Sequence, residues 1–180
     1  MNLTLVRHTS VDIPPGICYG QLDVGVAISF HEEKEAILNQ LHGESFDVVY
    51  SSPLSRCVKL TEALCNNNPI NFDNRLMELS FGIWEGVSWE SIFNMKESKD
   101  WFNDYVNAPC PGGESFRQLY SRVAMFYNDI KKSHKGENIL IITHAGVIRT
   151  FLSLIQNIPP TDVFDIKIEY GEVKKLHVNN

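Results

Sequence analysis

The chain has 180 residues, 43% hydrophobic and 21% charged, which is material for one packed domain over 1–180 and argues against disorder. A formal net charge of −6 disfavours a nucleic-acid or anionic-membrane partner, because both need a basic surface. No apolar run approaches the roughly 18 residues of a membrane span. There is no signal peptide, and the four cysteines lack a Cys-x-x-Cys spacing and read as reduced thiols, so a cytoplasmic protein is expected.

Leu3 to Val6 is an apolar, β-prone run that ends in Arg7 and His8. Thr9 to Ile28 carries Pro14, Pro15, Gly16, Gly20 and Gly25 without a period, and a long connection of this kind is usually functional. Ser29 with Glu32 three residues on predicts a capping box. It opens a helix through Ala36, Ile37 and Leu41 that Gly43 stops. Phe46 to Tyr50 is a second strand. Ser52 then stands as a helix cap with Pro53 at the first helical position, and the helix is expected to reach about Cys65.

Ile70 to Phe72 is a short strand. Asn74 to Ala108 is rich in aromatic residues and predicts loops and short helices over one end of the sheet. Pro109 to Gly113 is a turn. From Glu114, the set Phe116, Leu119, Tyr120, Val123, Phe126, Tyr127 and Ile130 steps by three and four, the clearest amphipathic helix in the chain. Ile139 to Ile142 is a buried strand with His144 just beyond it, and Gly146 to Gln156 is a helix. Val163 to Ile168 and Glu172 to Val178 predict two last strands about a turn at Tyr170 and Gly171. Strands alternating with helices mean an α/β sheet covered on both faces, mostly parallel, with an antiparallel strand near the C-terminus.

If the strands are parallel, Arg7, His8, Ser52, Arg56, Glu78 and His144 all fall at one carboxyl edge, where open α/β sheets bind ligands. Two arginines and two histidines there repel one another unless an anion lies between them. Arginine forks and the amino terminus of the helix after His144 suit a phosphate monoester better than a carboxylate. Neutral imidazole is a competent nucleophile toward phosphorus when its other nitrogen donates to a fixed acceptor. Glu78, with Glu85 in reserve, is the candidate proton donor, and Phe81 and Trp84 are the neighbours expected to desolvate it.

These residues sit in motifs that resemble the histidine phosphatase superfamily, also called phosphoglycerate-mutase-like. The pieces are Leu5-Val6-Arg7-His8, Ser51-Ser52-Pro53-Leu54-Ser55-Arg56, Arg75-Leu76-Met77-Glu78 and Phe81-Gly82-Ile83-Trp84-Glu85-Gly86, then Pro111-Gly112-Gly113-Glu114-Ser115 and Thr143-His144-Ala145-Gly146-Val147-Ile148-Arg149. The resemblance implies a three-layer α/β/α fold, His8 as phosphate acceptor, Arg7, Arg56 and His144 as phosphate ligands, Glu78 as proton donor, and no metal or cofactor. Thr9 departs from the commoner Gly, so the turn after His8 must be one that a β-branched residue adopts.

The short length favours a phosphatase over the longer cofactor-dependent mutases. The segment Gly16 to Val24 with Arg-His-Thr resembles the α-ribazole-5'-phosphate phosphatases of cobalamin synthesis. Tyr19 and Gln21 are then expected substrate contacts, with Tyr19 or Trp84 stacking on a flat dimethylbenzimidazole, unless these aromatics only pack the lid. The expected partner is a small phosphate ester. A phosphoglycerate mutase, a broad-specificity sugar phosphatase, a non-catalytic phosphate-binding module and a zinc site of His8, His144 and Glu78 are the other readings.

Overall fold

The computed structural model describes residues 1–65 and 68–178, so Asn66, Asn67 and the last two positions of the expected 1–180 domain lie outside the described residues. Five strands form one sheet: β1 (Asn2–Arg7), β2 (Val48–Ser51), β3 (Ile70–Phe72), β4 (Asn138–Thr143) and β5 (Val173–His177). Their order is β3-β2-β4-β1-β5; the first four run parallel, and β5 lies antiparallel to β1.

The helices are α1 (Phe30–Gln40), α2 (Ser55–Leu64), α3 (Trp89–Asn94), α4 (Lys99–Asn103), α5 (Phe116–Ser133) and α6 (Ala145–Gln156). Alternation along the strands builds two cores. Leu3 and Leu5 of β1 with Ile139 and Ile141 of β4 meet Phe116, Leu119, Val123, Phe126 and Phe151 of α5 and α6. Val6, Leu140 and Ile142 face the other way, against Ile37 of α1 and Cys57 and Leu60 of α2. This is a three-layer α/β/α arrangement.

β4 lies between β1 and β2, although it follows both in sequence. The register therefore sets Arg7 opposite Thr143 and Ser51 opposite Ile142. The ladder continues past the strands, with the His8 amide donating to the Thr143 carbonyl at 3.0 Å and the Ser52 amide to the Ile142 carbonyl at 3.0 Å. Three strand ends thus deliver His8, Ser52 and His144 side by side.

Several local expectations change. Val163 to Ile168 is not a strand; a single 3-10 turn at Val163–Asp165 is followed by irregular chain. Its carbonyls are taken by arginines: Arg149 Nε donates to Ile166 at 3.0 Å and Arg7 Nη1 to Ile168 at 2.7 Å. The second strand starts two residues later than expected and includes Ser51.

Ser29 precedes α1 without capping it, because its hydroxyl donates to Glu33 Oε1 at 2.5 Å. Ser52 and Pro53 lie ahead of α2, whose cap residue is Leu54, and the first free amide of α2, at Ser55, donates to Asp23 Oδ1 at 2.8 Å. α5 begins at Phe116 behind a complete capping box of Ser115 and Gln118. All four cysteines are free, and Cys65 caps α2 rather than extending it.

The aromatic segment packs on itself. Trp84 is buried with Cys18, Ile92 and Cys110, and Trp89 stacks on Trp101 at 6.0 Å. Gly82 has φ 57°, and a Cβ there would collide with the Pro111 carbonyl, so the Phe-Gly-Ile-Trp and Pro-Gly-Gly stretches touch backbone to backbone. No helix among the described residues is long and apolar enough to cross a membrane.

Candidate active site

His8 and His144 stand edge to face with ring centroids 5.0 Å apart, and both are 1% exposed or less. The two nitrogens of His8 differ. Nδ1 lies 2.7 Å from the Thr9 carbonyl, which can only accept, so Nδ1 carries the hydrogen and Nε2 the lone pair. Among the described residues Asn157 is the sole non-glycine with positive φ, so Thr9 makes this turn in ordinary backbone space. The departure from glycine costs no strain, and the Thr9 carbonyl is the fixed acceptor the imidazole needs.

His144 is set by two neighbours. Arg56 Nη2 lies 3.3 Å from Nδ1 and must be the donor, so Nδ1 accepts and Nε2 donates to Ser52 Oγ at 2.8 Å. This is why Ser52 does not cap α2. The Cys57 Sγ is 3.5 Å from the same ring, and burial pushes that thiol up to about 12.

Arg56 is 0% exposed and has no acidic partner among the described ion pairs. It is held by carbonyls of the long connection, Gly20 at 2.6 Å and Leu22 at 3.0 Å. Arg7 lies 3.8 Å under the ring of Tyr170, and Arg56 lies 5.2 Å from the ring of Tyr19. The two phenol oxygens are 2.8 Å apart. Together they roof the site, with the Tyr170 ring 5.6 Å from His8.

The buried Nε of Arg7, Nε of Arg56 and Oγ1 of Thr9 have no hydrogen-bond partner among the described residues. An unmade bond of this kind costs about 1–3 kcal/mol. Such donors, beside two cations that lack a counter-ion, form a cradle that an anion completes.

Burial, and then the neighbouring charges, hold both histidines well below the ordinary imidazole range. For His8 the largest cause is desolvation, followed by Arg56 and Arg7, against a smaller opposing pull from the Thr9 carbonyl. For His144 it is desolvation, then His8, Arg56, Arg122 and Arg7. Above pH about 6.5 the rings are neutral in both states; below it the unfolded chain takes up protons that the native site refuses.

Stability should therefore fall as pH drops from about 6.5 to 5.5, by up to about 1.4 kcal/mol per imidazole per pH unit. Denaturant midpoints in phosphate-free buffer test this. A midpoint that rises over that interval contradicts neutral buried imidazoles.

Glu78 follows the 3-10 turn Asn74–Leu76. Its carboxylate accepts from the Leu79 amide at 3.0 Å and from the Gly146 amide, at the start of α6, at 3.2 Å. A Cβ at Gly146 would run into that carboxylate, so glycine there admits Glu78 to the helix terminus. The helix amide expected to meet an anionic ligand is occupied by the Glu78 carboxylate. Phe81 and Trp84 were expected to shield Glu78, but Phe81 packs edge-on against Trp89 and Trp84 belongs to the Cys18 core.

Glu85 is a brace: Oε1 accepts the amides of Gln21 and Phe81, each at 2.9 Å. The Gln21 side-chain amide, expected to contact substrate, donates instead to the Glu78 carbonyl at 2.9 Å and so supports the Glu78 backbone. Tyr170 was read only as part of a turn. Its place over Arg7 depends on β5 pairing with β1: an antiparallel strand near the C-terminus is expected from the pattern, but its partner strand is not.

Among the described residues no three His, Cys, Asp or Glu side chains are grouped to hold a metal, so His8, His144 and Glu78 do not form the zinc set.

Residues 3–180 match the family model of the histidine phosphatase superfamily, branch 1. The chain is 26% identical to the adenosylcobalamin/alpha-ribazole phosphatase of Escherichia coli, over 99% of this chain and 91% of that protein. It is 24% identical to phosphoserine phosphatase 1 of Hydrogenobacter thermophilus, over 99% of this chain and 87% of that one. The crystal structure of the alpha-ribazole phosphatase from Shigella flexneri superposes with a TM-score of 0.92 at 23% identity, covering 99% of this chain and 91% of that one, a likeness of fold. With the paired histidines, the arginine cradle and a family match across nearly the whole length, the chain belongs to the histidine phosphatase superfamily, branch 1.

Proposed function

We propose that this chain, as one domain over 1–180, is a phosphomonoesterase that works through a phosphohistidine on His8. The observation that carries the reading is the fixed tautomer of His8: Nδ1–H is locked on the Thr9 carbonyl, leaving Nε2 free beside two uncompensated arginines. In the first step Nε2 attacks phosphorus, the ester P–O bond breaks, and the leaving oxygen takes a proton from Glu78. In the second, water attacks the phosphohistidine, the P–N bond breaks, and the proton returns to Glu78. In this reading Arg7 and Arg56 bind the phosphoryl oxygens and stabilise the charge that develops on them, and His144 joins them when its Nε2–H turns from Ser52 Oγ to a phosphoryl oxygen. No metal or other cofactor enters either step.

The proposed substrate is α-ribazole 5'-phosphate, supported by the Gly16 to Val24 segment and by the similarity to enzymes named for that substrate. In this reading the flat base stacks on Tyr19 and Tyr170, a role supported by their paired phenols over Arg56 and Arg7. A net charge of −6 supports a small-molecule partner over nucleic acid, and reduced cysteines support a cytoplasmic setting. A panel of α-ribazole 5'-phosphate, phosphoserine and 3-phosphoglycerate tests the leaving group. A clear kcat/KM preference for phosphoserine, or net isomerisation of 3-phosphoglycerate, would refute it.

Glu78→Gln tests the acid. Turnover of alkyl esters should fall about 10²–10⁴-fold, whereas p-nitrophenyl phosphate, whose leaving group needs little protonation, should lose far less. Equal losses on both ester types would contradict the role.

A further inference from the structure

Arg122 of α5 lies outside the phosphate cradle, yet every one of its donors is committed. A guanidinium has five N–H groups. Nε donates to Glu114 Oε1 and Nη2 to Glu114 Oε2, each at 2.9 Å, a bidentate pair. The other three go to carbonyls: Nη1 to Arg75 at 2.8 Å and Met77 at 2.6 Å, and Nη2 to Glu78 at 2.8 Å.

Glu114 completes the frame from the other side. Its Oε2 accepts the Ser80 amide at 3.0 Å, and its own amide donates to the Ser80 carbonyl at 2.8 Å. Positions 75, 77, 78 and 80 are thus fixed by one ion pair. The connection needs such support, because after the 3-10 turn Met77 is extended and Glu78 belongs to no helix or strand. The pair is largely enclosed, with side chains 14% and 22% exposed. It also gives Glu114 of the Pro-Gly-Gly-Glu-Ser motif a task that the phosphate chemistry alone leaves unassigned.

We propose that the Arg122–Glu114 pair is a positioning device for Glu78, sharing its carbonyl with Gln21 and holding the backbone so that the carboxyl group stays in line with the leaving oxygen. The inference rests on Glu78 being the acid of the proposed reaction. Proton transfer demands placement within hydrogen-bond reach, and a small displacement is costly when the leaving group is a poor one. Neither residue is required to touch substrate.

The test compares Arg122→Met, Arg122→Lys and Glu114→Gln on two esters. With Arg122→Met, kcat on glycerol 2-phosphate should fall about 30–100-fold and on p-nitrophenyl phosphate less than about threefold, since only the first depends strongly on the acid. Inhibition by inorganic phosphate should stay at the wild-type level, because the cradle is intact. Arg122→Lys keeps the charge but not the fork, so its loss should be intermediate.

A loss that is the same for both esters, or that scales with a fall in Tm, would mean a structural pair only and would overturn the proposal. So would unchanged kinetics on both. If Arg122→Met does not fold, Arg122→Lys and Glu114→Gln carry the same comparison. Failure of the underlying reaction is seen separately, as wild-type enzyme that yields no acid-labile label on His8 when quenched during turnover.

Discussion

Replacing His8 with alanine should remove phosphatase activity while leaving phosphate binding in place. In the proposed mechanism the ring supplies the nucleophilic Nε2, and among the described residues at the strand edge the other candidates are engaged: the Nδ1 of His144 accepts from Arg56, and burial keeps the Cys57 thiol protonated. Loss of a covalent nucleophile costs about 10⁴-fold or more in kcat. Acid-labile, alkali-stable phosphoryl labelling on quenching should vanish with it. The variant should fold at some cost for the cavity left, because the ring makes a single side-chain bond, to the Thr9 carbonyl, while the His8 amide keeps its place in the strand ladder. Arg7, Arg56 and His144 remain, so inorganic phosphate should still raise Tm. Activity within about tenfold of wild type would sink the phosphohistidine mechanism.

Arg56→Ala is expected to produce the second large loss, with a different signature. The wild-type site buries this cation without a carboxylate, leaning on the Gly20 and Leu22 carbonyls and on His144. In the proposed site phosphate supplies the missing charge, so it should stabilise the wild-type protein as a ligand that binds only the native state, by RT ln(1 + [L]/Kd), or about 2.7 kcal/mol at a hundredfold excess over Kd. In Arg56→Ala that thermal shift should shrink strongly and the phosphate inhibition constant should rise at least about tenfold.

Turnover should drop about 10²–10³-fold, the usual range for one lost donor to developing charge. Arg56→Lys should recover little, since a point charge cannot span the loop carbonyls and the phosphoryl oxygens together. Thermal shifts and steady-state inhibition measure both effects. A normal phosphate shift in Arg56→Ala would place this arginine outside the pocket.

Much of this site can be read along the chain because its parts are local. Apolar runs followed at once by His8 and His144 mark strand ends, and the three-and-four stepping from Phe116 to Ile130 marks α5 and its buried face. Both signals come from periodicity and need no knowledge of distant residues. The Val163 to Ile168 run failed for the complementary reason. It alternates like a strand, but Val163 and Ile168 fill the core beside α5 and α6 while arginines 7 and 149 take its carbonyls, leaving no ladder to join. Pattern reports which side chains seek burial; it does not report what the backbone will bond.

The sequence by itself determined the chemistry at hand: an apolar strand ending in Arg7-His8, its echo at His144, Arg56 one turn into a helix, and Glu78 after a short strand. Only the tertiary structure decided how these groups are tuned. It chose the tautomer of His8 through the Thr9 carbonyl, set Glu78 on the first turn of α6, spent Gln21 and Ser52 on neighbours, and brought Tyr170 over Arg7. The physical reason is that residue type fixes what a group can donate, accept or attack, whereas its hydrogen-bond partner and its share of solvent are fixed by chain segments tens of residues away. Insertion of β4 between β1 and β2 is what brings those segments together.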